Sequence, residues 1–129
     1  MSKLSKIKIQ IIPNEAQRYP TVGDYWYPYP ERMDVRISDM QNEDYEFLVL
    51  IHELIEAHLC RKRGISEEAI TNFDIEFEKN RVEGNFDEPG NDPKAPYNKE
   101  HLYATLIERQ LAKELSVDWD LYDKTVNEL

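Results

Sequence analysis

Residues 51–59 read I-H-E-L-I-E-A-H-L, which places two histidines and two glutamates inside one of the most apolar runs of the chain. Burying such groups costs several kcal/mol unless they are paired, hydrogen-bonded or bound to a metal. The run is therefore either a wetted helix face or a site. In both cases it is helical: the pattern predicts one helix from about Glu43 to Arg63, capped by Asn42 and stopped before Gly64, a suitable left-handed C′ residue.

At about 100° per residue, Glu56 falls about 40° from His52 and Glu53 about 100°, so the three side chains share one side of that helix. His58 lies about 240° away, among Phe47, Ile51 and Leu54, and cannot reach the same ion; it is assigned to packing or surface. Leu48, Ile55 and Leu59 flank His52 and Glu56, which puts these two at the margin of the buried face.

Outward toward the N-terminus the signals are those of strands. K-I-K-I-Q-I-I at 6–12 alternates with period two and ends at Pro13, predicting a half-buried strand. The aromatic and proline-dense stretch Y-P-T-V-G-D-Y-W-Y-P-Y-P at 19–30 allows at most a short strand near Asp24–Tyr27. Met33, Val35 and Ile37 alternate with Asp34, Arg36 and Ser38 as a further strand.

Outward toward the C-terminus the signals are helical. Ser66 caps a second helix whose Ile70, Phe73 and Phe77, joined by Asp74, set the period to about Asn80. Residues 84–96, G-N-F-D-E-P-G-N-D-P-K-A-P, form a long loop whose acids lack the ordered spacing of a calcium loop and are read as solvated. A third helix spans Asn98 or Lys99 to about Leu115, and a short fourth fits Val117–Asn127 with Trp119 and Tyr122 inward. Strands followed by helices over 129 residues predict a single α+β domain, a short N-terminal sheet packed on three to four helices.

Composition narrows the function. A net charge of −10 disfavours nucleic acid and anionic membranes, which need clustered Lys and Arg. The single cysteine, Cys60, forms no internal disulfide and is read as a small buried hydrophobe. Without an apolar signal segment or a run approaching about 20 apolar residues, the chain is expected to be cytoplasmic.

One helical turn brings residues i and i+4 within reach of one metal ion, and His52-Glu53-Leu54-Ile55-Glu56 offers a histidine and a glutamate in that relation. A further ligand is needed, and the third helix supplies a candidate. His101, Thr105, Glu108 and Ala112 fall within about 60° of one another, a polar stripe facing inward. The expected ligand set is His52, Glu56 and His101 around one divalent ion, preferably Zn²⁺ although other divalent transition metals suit the same donors. Glu108 ligates the ion or, like Thr105, supports it from behind. Glu53 is left off the metal to act on its water.

This pattern, H-E-L-I-E followed by a long insertion and a histidine on a later helix, resembles a minimal zincin, the metallopeptidase superfamily built on the H-E-x-x-H helix, across about residues 33–112. Glu56 stands where that family has its second histidine. The resemblance implies His52 as ligand and Glu53 as general base in peptide hydrolysis, by an ion that brings the pKa of its water from 15.7 to about 7. It further implies that the strand Met33–Ser38 pairs with an extended peptide or protein substrate. Tyr25, Trp26, Tyr27 and Tyr29 are candidates to line the cleft and Tyr97 or Tyr103 to donate to the oxyanion, although tyrosine and tryptophan between prolines more often cover a small core. Two rivals stand beside this reading: a catalytically inactive metal-binding or interaction module, and a metal-free protein whose segment 19–30 is a contact surface.

Overall fold

The computed structural model describes residues 3–129. Three strands, Lys6–Ile12 (β1), Gly23–Tyr29 (β2) and Arg32–Ser38 (β3), form a sheet of order β1-β3-β2, with β1 parallel and β2 antiparallel to β3. Four helices follow: Glu43–Lys62 (α1), Glu67–Lys79 (α2), Asn98–Glu114 (α3) and Trp119–Asn127 (α4). The α+β class and the short sheet packed on helices are as the patterning predicts.

β3 decides the core. Met33, Val35 and Ile37, all at most 3 % exposed, face Leu48, Val49 and Ala57 of α1, with Ala112 and Tyr122 completing the cluster. Each such aliphatic side chain contributes roughly 1.5–3 kcal/mol on burial. β3 lies in the middle of the sheet with both edges paired, so it cannot receive a peptide strand, contrary to expectation. Periodicity locates a strand's faces and is silent about its neighbours.

The other strands depart from expectation too. β1 is exposed on both faces apart from Ile12: Ile7, Ile9 and Ile11 pair in register with Met33, Val35 and Ile37, but the helices lie over β3 and β2 and leave the isoleucines 44–54 % exposed. β2 is a full seven residues, its one proline, Pro28, accommodated by an irregular register between Trp26 and Tyr29 at a sheet edge, where a missing N–H costs least. The crossing from β1 to β2 passes the end of β3, where the buried Ser38 hydroxyl donates to Asn14 and accepts from Gln17 Nε2.

The helix bounds follow local signals. Asn42 Oδ1 accepts from Tyr45 N, Ser66 Oγ from Ala69 N and Asp118 Oδ1 from Leu121 N, each satisfying an N-terminal donor. Gly64 ends α1 at φ +70°, a conformation glycine adopts without penalty. The seam between α1 and α3 carries Ala57, Ala104 and Ala112, each at most 2 % exposed, small enough for close helix approach. Among the described residues no helix is long and apolar enough to cross a membrane.

Candidate metal centre

His52 and Glu56 project from the centre of the buried face of α1, at 8 % and 7 % exposure, rather than from its margin. Ile55 and Leu59, which flank them, are only half-buried, and His58 is exposed. Across the alanine seam, α3 presents His101 at 5 % exposure, and the two imidazole centroids stand 4.7 Å apart. Glu108, two turns further along α3, lies beside the same pair.

Hydrogen bonds fix which ring atoms face the centre. His52 Nδ1 lies 2.7 Å from Glu108 Oε1, and His101 Nε2 lies 3.1 Å from Glu88 Oε2. Carboxylates at these atoms accept, so each outer nitrogen carries the proton it donates. The inner atoms are then His52 Nε2, His101 Nδ1 and Glu56 Oε2, at mutual distances of 3.0 Å, 3.2 Å and 2.9 Å. With neutral rings three lone pairs then converge, whereas with imidazolium rings His52 Nε2–H and His101 Nδ1–H both donate to Glu56 Oε2. Only a cation makes the arrangement favourable, whether a proton shared as imidazolium or a metal ion.

The fit to a metal is direct. Bonds of about 2.0–2.1 Å in a tetrahedral site put ligand atoms roughly 3.3 Å apart, so a few tenths of an ångström of relaxation admits an ion. This buried group, His52, Glu56 and His101, offers one ligand atom from each residue and could hold a metal ion. Two further hydroxyls are buried with little to bond: Thr105, one turn beyond His101, has no hydrogen-bond partner, and Tyr25, which feels the charges of Glu53 and Glu56, meets only the weak Cys60 thiol. Orphaned polar atoms at such a place suit a hydrated or ionic occupant.

The electrostatics have the same origin. Burial pulls the His52 pKa down, but hydrogen bonds to Glu108 and Glu56 outweigh it and hold the ring well above the ordinary value. His101 is likewise depressed by burial and lifted further by Glu56 and Glu88, to about 9. Burial would raise Glu56, yet its bonds to His101 and His52 lower it. For Glu53 burial, then the charge of Glu56, outweigh the lowering charges of His52 and His101 and push it to about 8. Its carboxylate packs under Gly23 of β2, where an added Cβ would come 2.7 Å from Glu53 Oε1 and 2.9 Å from Cγ.

Several partners were not read from the sequence. Glu88, taken with its neighbours as a solvated acid, in fact accepts from His101. Tyr122, expected only to face inward, donates to Glu108 Oε2 at 2.6 Å and so steadies the carboxylate that steadies His52. The one signal for Tyr122 was the inward face of α4; for Glu88 there was none beyond charge in a proline-bounded loop.

The aromatic assignments divide. Tyr25 lies on the helix side near Glu53 and Glu56, and Tyr27 stacks under Arg61 at 4.9 Å. Trp26 is on the opposite sheet face beneath Arg18 and Arg36, and Tyr29 is 58 % exposed, so neither lines the centre. Tyr97 donates a hydrogen bond to Asp74 Oδ1 at 2.6 Å, which commits its hydroxyl elsewhere, and Tyr103 is half exposed on the outer face of α3. Comparison of the chain with protein-family profiles, with curated proteins and with solved structures returns no match.

Proposed function

We propose that the protein is a metal-dependent hydrolase of zincin-like character, holding Zn²⁺ on His52 Nε2, His101 Nδ1 and Glu56 Oε2 and cleaving peptide bonds with Glu53 as general base. The carrying observation is the convergence of those three acceptor atoms within 3.2 Å while carboxylates occupy both outer ring nitrogens. Two histidines and a carboxylate are a donor set that zinc uses in hydrolytic centres. When bound, the ion would supply Lewis acidity toward a carbonyl and a water molecule.

The chain's own residues supply the rest. Glu53 stands one position from His52 and outside the ligand set, as a group that takes a proton and returns it to a leaving amine must. Glu108, backed by Tyr122, fixes the orientation of His52. Tyr25, whose buried hydroxyl meets only the weak acceptor Cys60, is a donor for developing negative charge. Because β3 is paired on both edges, the strand next to Glu53 that borders the sheet is β2, and an extended peptide would lie along it.

Burial of all three ligands below one-tenth exposure supports a second reading, a metal that ties α1 to α3 without turnover. One experiment separates the two. Protein purified without tag or chelator is expected to carry one equivalent of metal by elemental analysis, and His101→Ala to lose it. Glu53→Gln is expected to keep the metal and lose peptidase activity by at least about 100-fold. Metal-free parent protein would overturn both readings; full activity in Glu53→Gln would overturn the assignment of the base.

A further inference from the structure

We infer that Glu88 is a positioning residue that commits His101 to ligation through Nδ1, and that residues 85–92 form the strap that delivers it. The inference rests on the metal-centre reading above and deepens it. His52 has its orienting carboxylate from α3, inside the helical layer. His101 has no such neighbour on a helix, and its outer nitrogen is met instead by a loop side chain, Glu88 Oε2 at 3.1 Å from Nε2.

The strap is built to hold that contact. Arg81, itself paired with Glu78, donates to the carbonyls of Asn85 at 2.6 Å and Asp87 at 2.9 Å, which fastens the incoming end. Asp87 Oδ1 accepts from Glu88 N and from Asn91 Nδ2, closing a tight turn around Glu88. Asn98 Nδ2 donates to Gly90 O at 2.8 Å, fastening the outgoing end to α3. Between these ties Gly90 lies flat on the imidazole: an added Cβ would stand 2.6 Å from His101 Nδ1 and 2.8 Å from Cδ2, closer than side chains tolerate. Glycine is thus required by close approach, not by backbone conformation.

A carboxylate on the far nitrogen does two things for a ligating imidazole. It fixes the tautomer, so the lone pair points at the ion, and it raises the basicity of that lone pair. Losing such a partner typically weakens metal binding 10- to 100-fold. The contact also reaches outward: Glu88 helps line a cavity of about 340 Å³ with Phe86, Asp87, Asn91, Asp123 and Asn127, so the strap separates His101 from that opening.

The test measures Zn²⁺ affinity of the full chain by competition with a chromophoric chelator. Glu88→Ala is expected to bind 10- to 100-fold more weakly, while Glu88→Gln, whose amide oxygen still accepts from Nε2–H, recovers most of the loss. Gly90→Ala, which lifts the strap off the ring, should weaken binding comparably. Metal-free midpoints of Glu88→Ala and Glu88→Gln should fall alike and by only a few degrees, since each loses the charge paired with His101 from a side chain that is half exposed. Affinity unchanged in Glu88→Ala would overturn the inference while leaving the metal centre intact. Equal losses of affinity in Ala and Gln would show that the oxygen accepting from Nε2–H does not orient the ring and would overturn it too. A parent that binds no Zn²⁺ would overturn the inference together with the centre.

Discussion

Asp74 lies on α2 with its carboxylate against the Tyr97 hydroxyl and within the field of Glu56, Glu78 and His101. Burial raises its pKa from 3.8 to about 6, despite the Tyr97 bond, which lowers it. The sign follows from proton counting: the folded state holds this proton more tightly than the unfolded chain, so stability falls as pH rises from about 4 through about 6 and is flat above. Asp74→Asn keeps an acceptor for Tyr97 and removes the desolvated charge. It is expected to stabilise the protein by about 1 kcal/mol at pH 8, after discounting the shift for partial exposure, and to leave it unchanged at pH 4. Urea titrations at the two pH values check this; equal effects at both would reject the desolvated charge as the cause. Glu88 and His101 mark the limits of reading single residues. His101 stands on a helical stripe with Thr105 and Glu108 and could be picked out by period, whereas Glu88 sits in a loop, where no repeat ties a side chain to a direction.

Among elements, the seam of α1 with α3 determines whether a centre exists at all. The imidazoles meet because alanines at 57, 104 and 112 let the two helices approach, while Ala104 itself is fully buried on the stripe between His101 and Glu108. Ala104→Leu is therefore expected to cost about 1–3 kcal/mol by overpacking and to separate the ligand-bearing faces, lowering metal affinity as well. Leu106→Ala, one face round on the same helix and 51 % exposed, should change stability by no more than about 0.5 kcal/mol and leave affinity alone. Denaturant midpoints and metal titration of both variants check the contrast; tight binding in Ala104→Leu would show the seam to be permissive. Strand behaviour shows the same dependence on neighbours. The alternation of 6–12 marks β1 as a strand, but the isoleucine face it defines meets no helix, because the helical layer stops over β3.

For the whole molecule, an ion that binds the folded chain and not the unfolded one adds RT ln(1 + [M]/Kd) to stability, about 2.7 kcal/mol at 100 times Kd. For a chain of 129 residues that corresponds to a rise of roughly 5–10 °C in Tm. Melting with Zn²⁺ and with EDTA should show this difference in the parent and none in His52→Ala. Taken by itself, the sequence determined much of what depends on short range: strands where residues alternate, the bounds of α1 and α2 between their caps, the four-residue spacing that puts His52 and Glu56 on one face, and the inward stripe of His101, Thr105 and Glu108. Those features follow from backbone geometry and local hydrogen bonding, which act within a turn or a pleat. The order of strands, the paired edges of β3, the open face of β1, the bond of Glu88 to His101 and the meeting of two imidazoles 49 positions apart belonged to the tertiary structure alone. They join residues that share no period, and only the packing of the core against the chain's connectivity brings them within bonding distance.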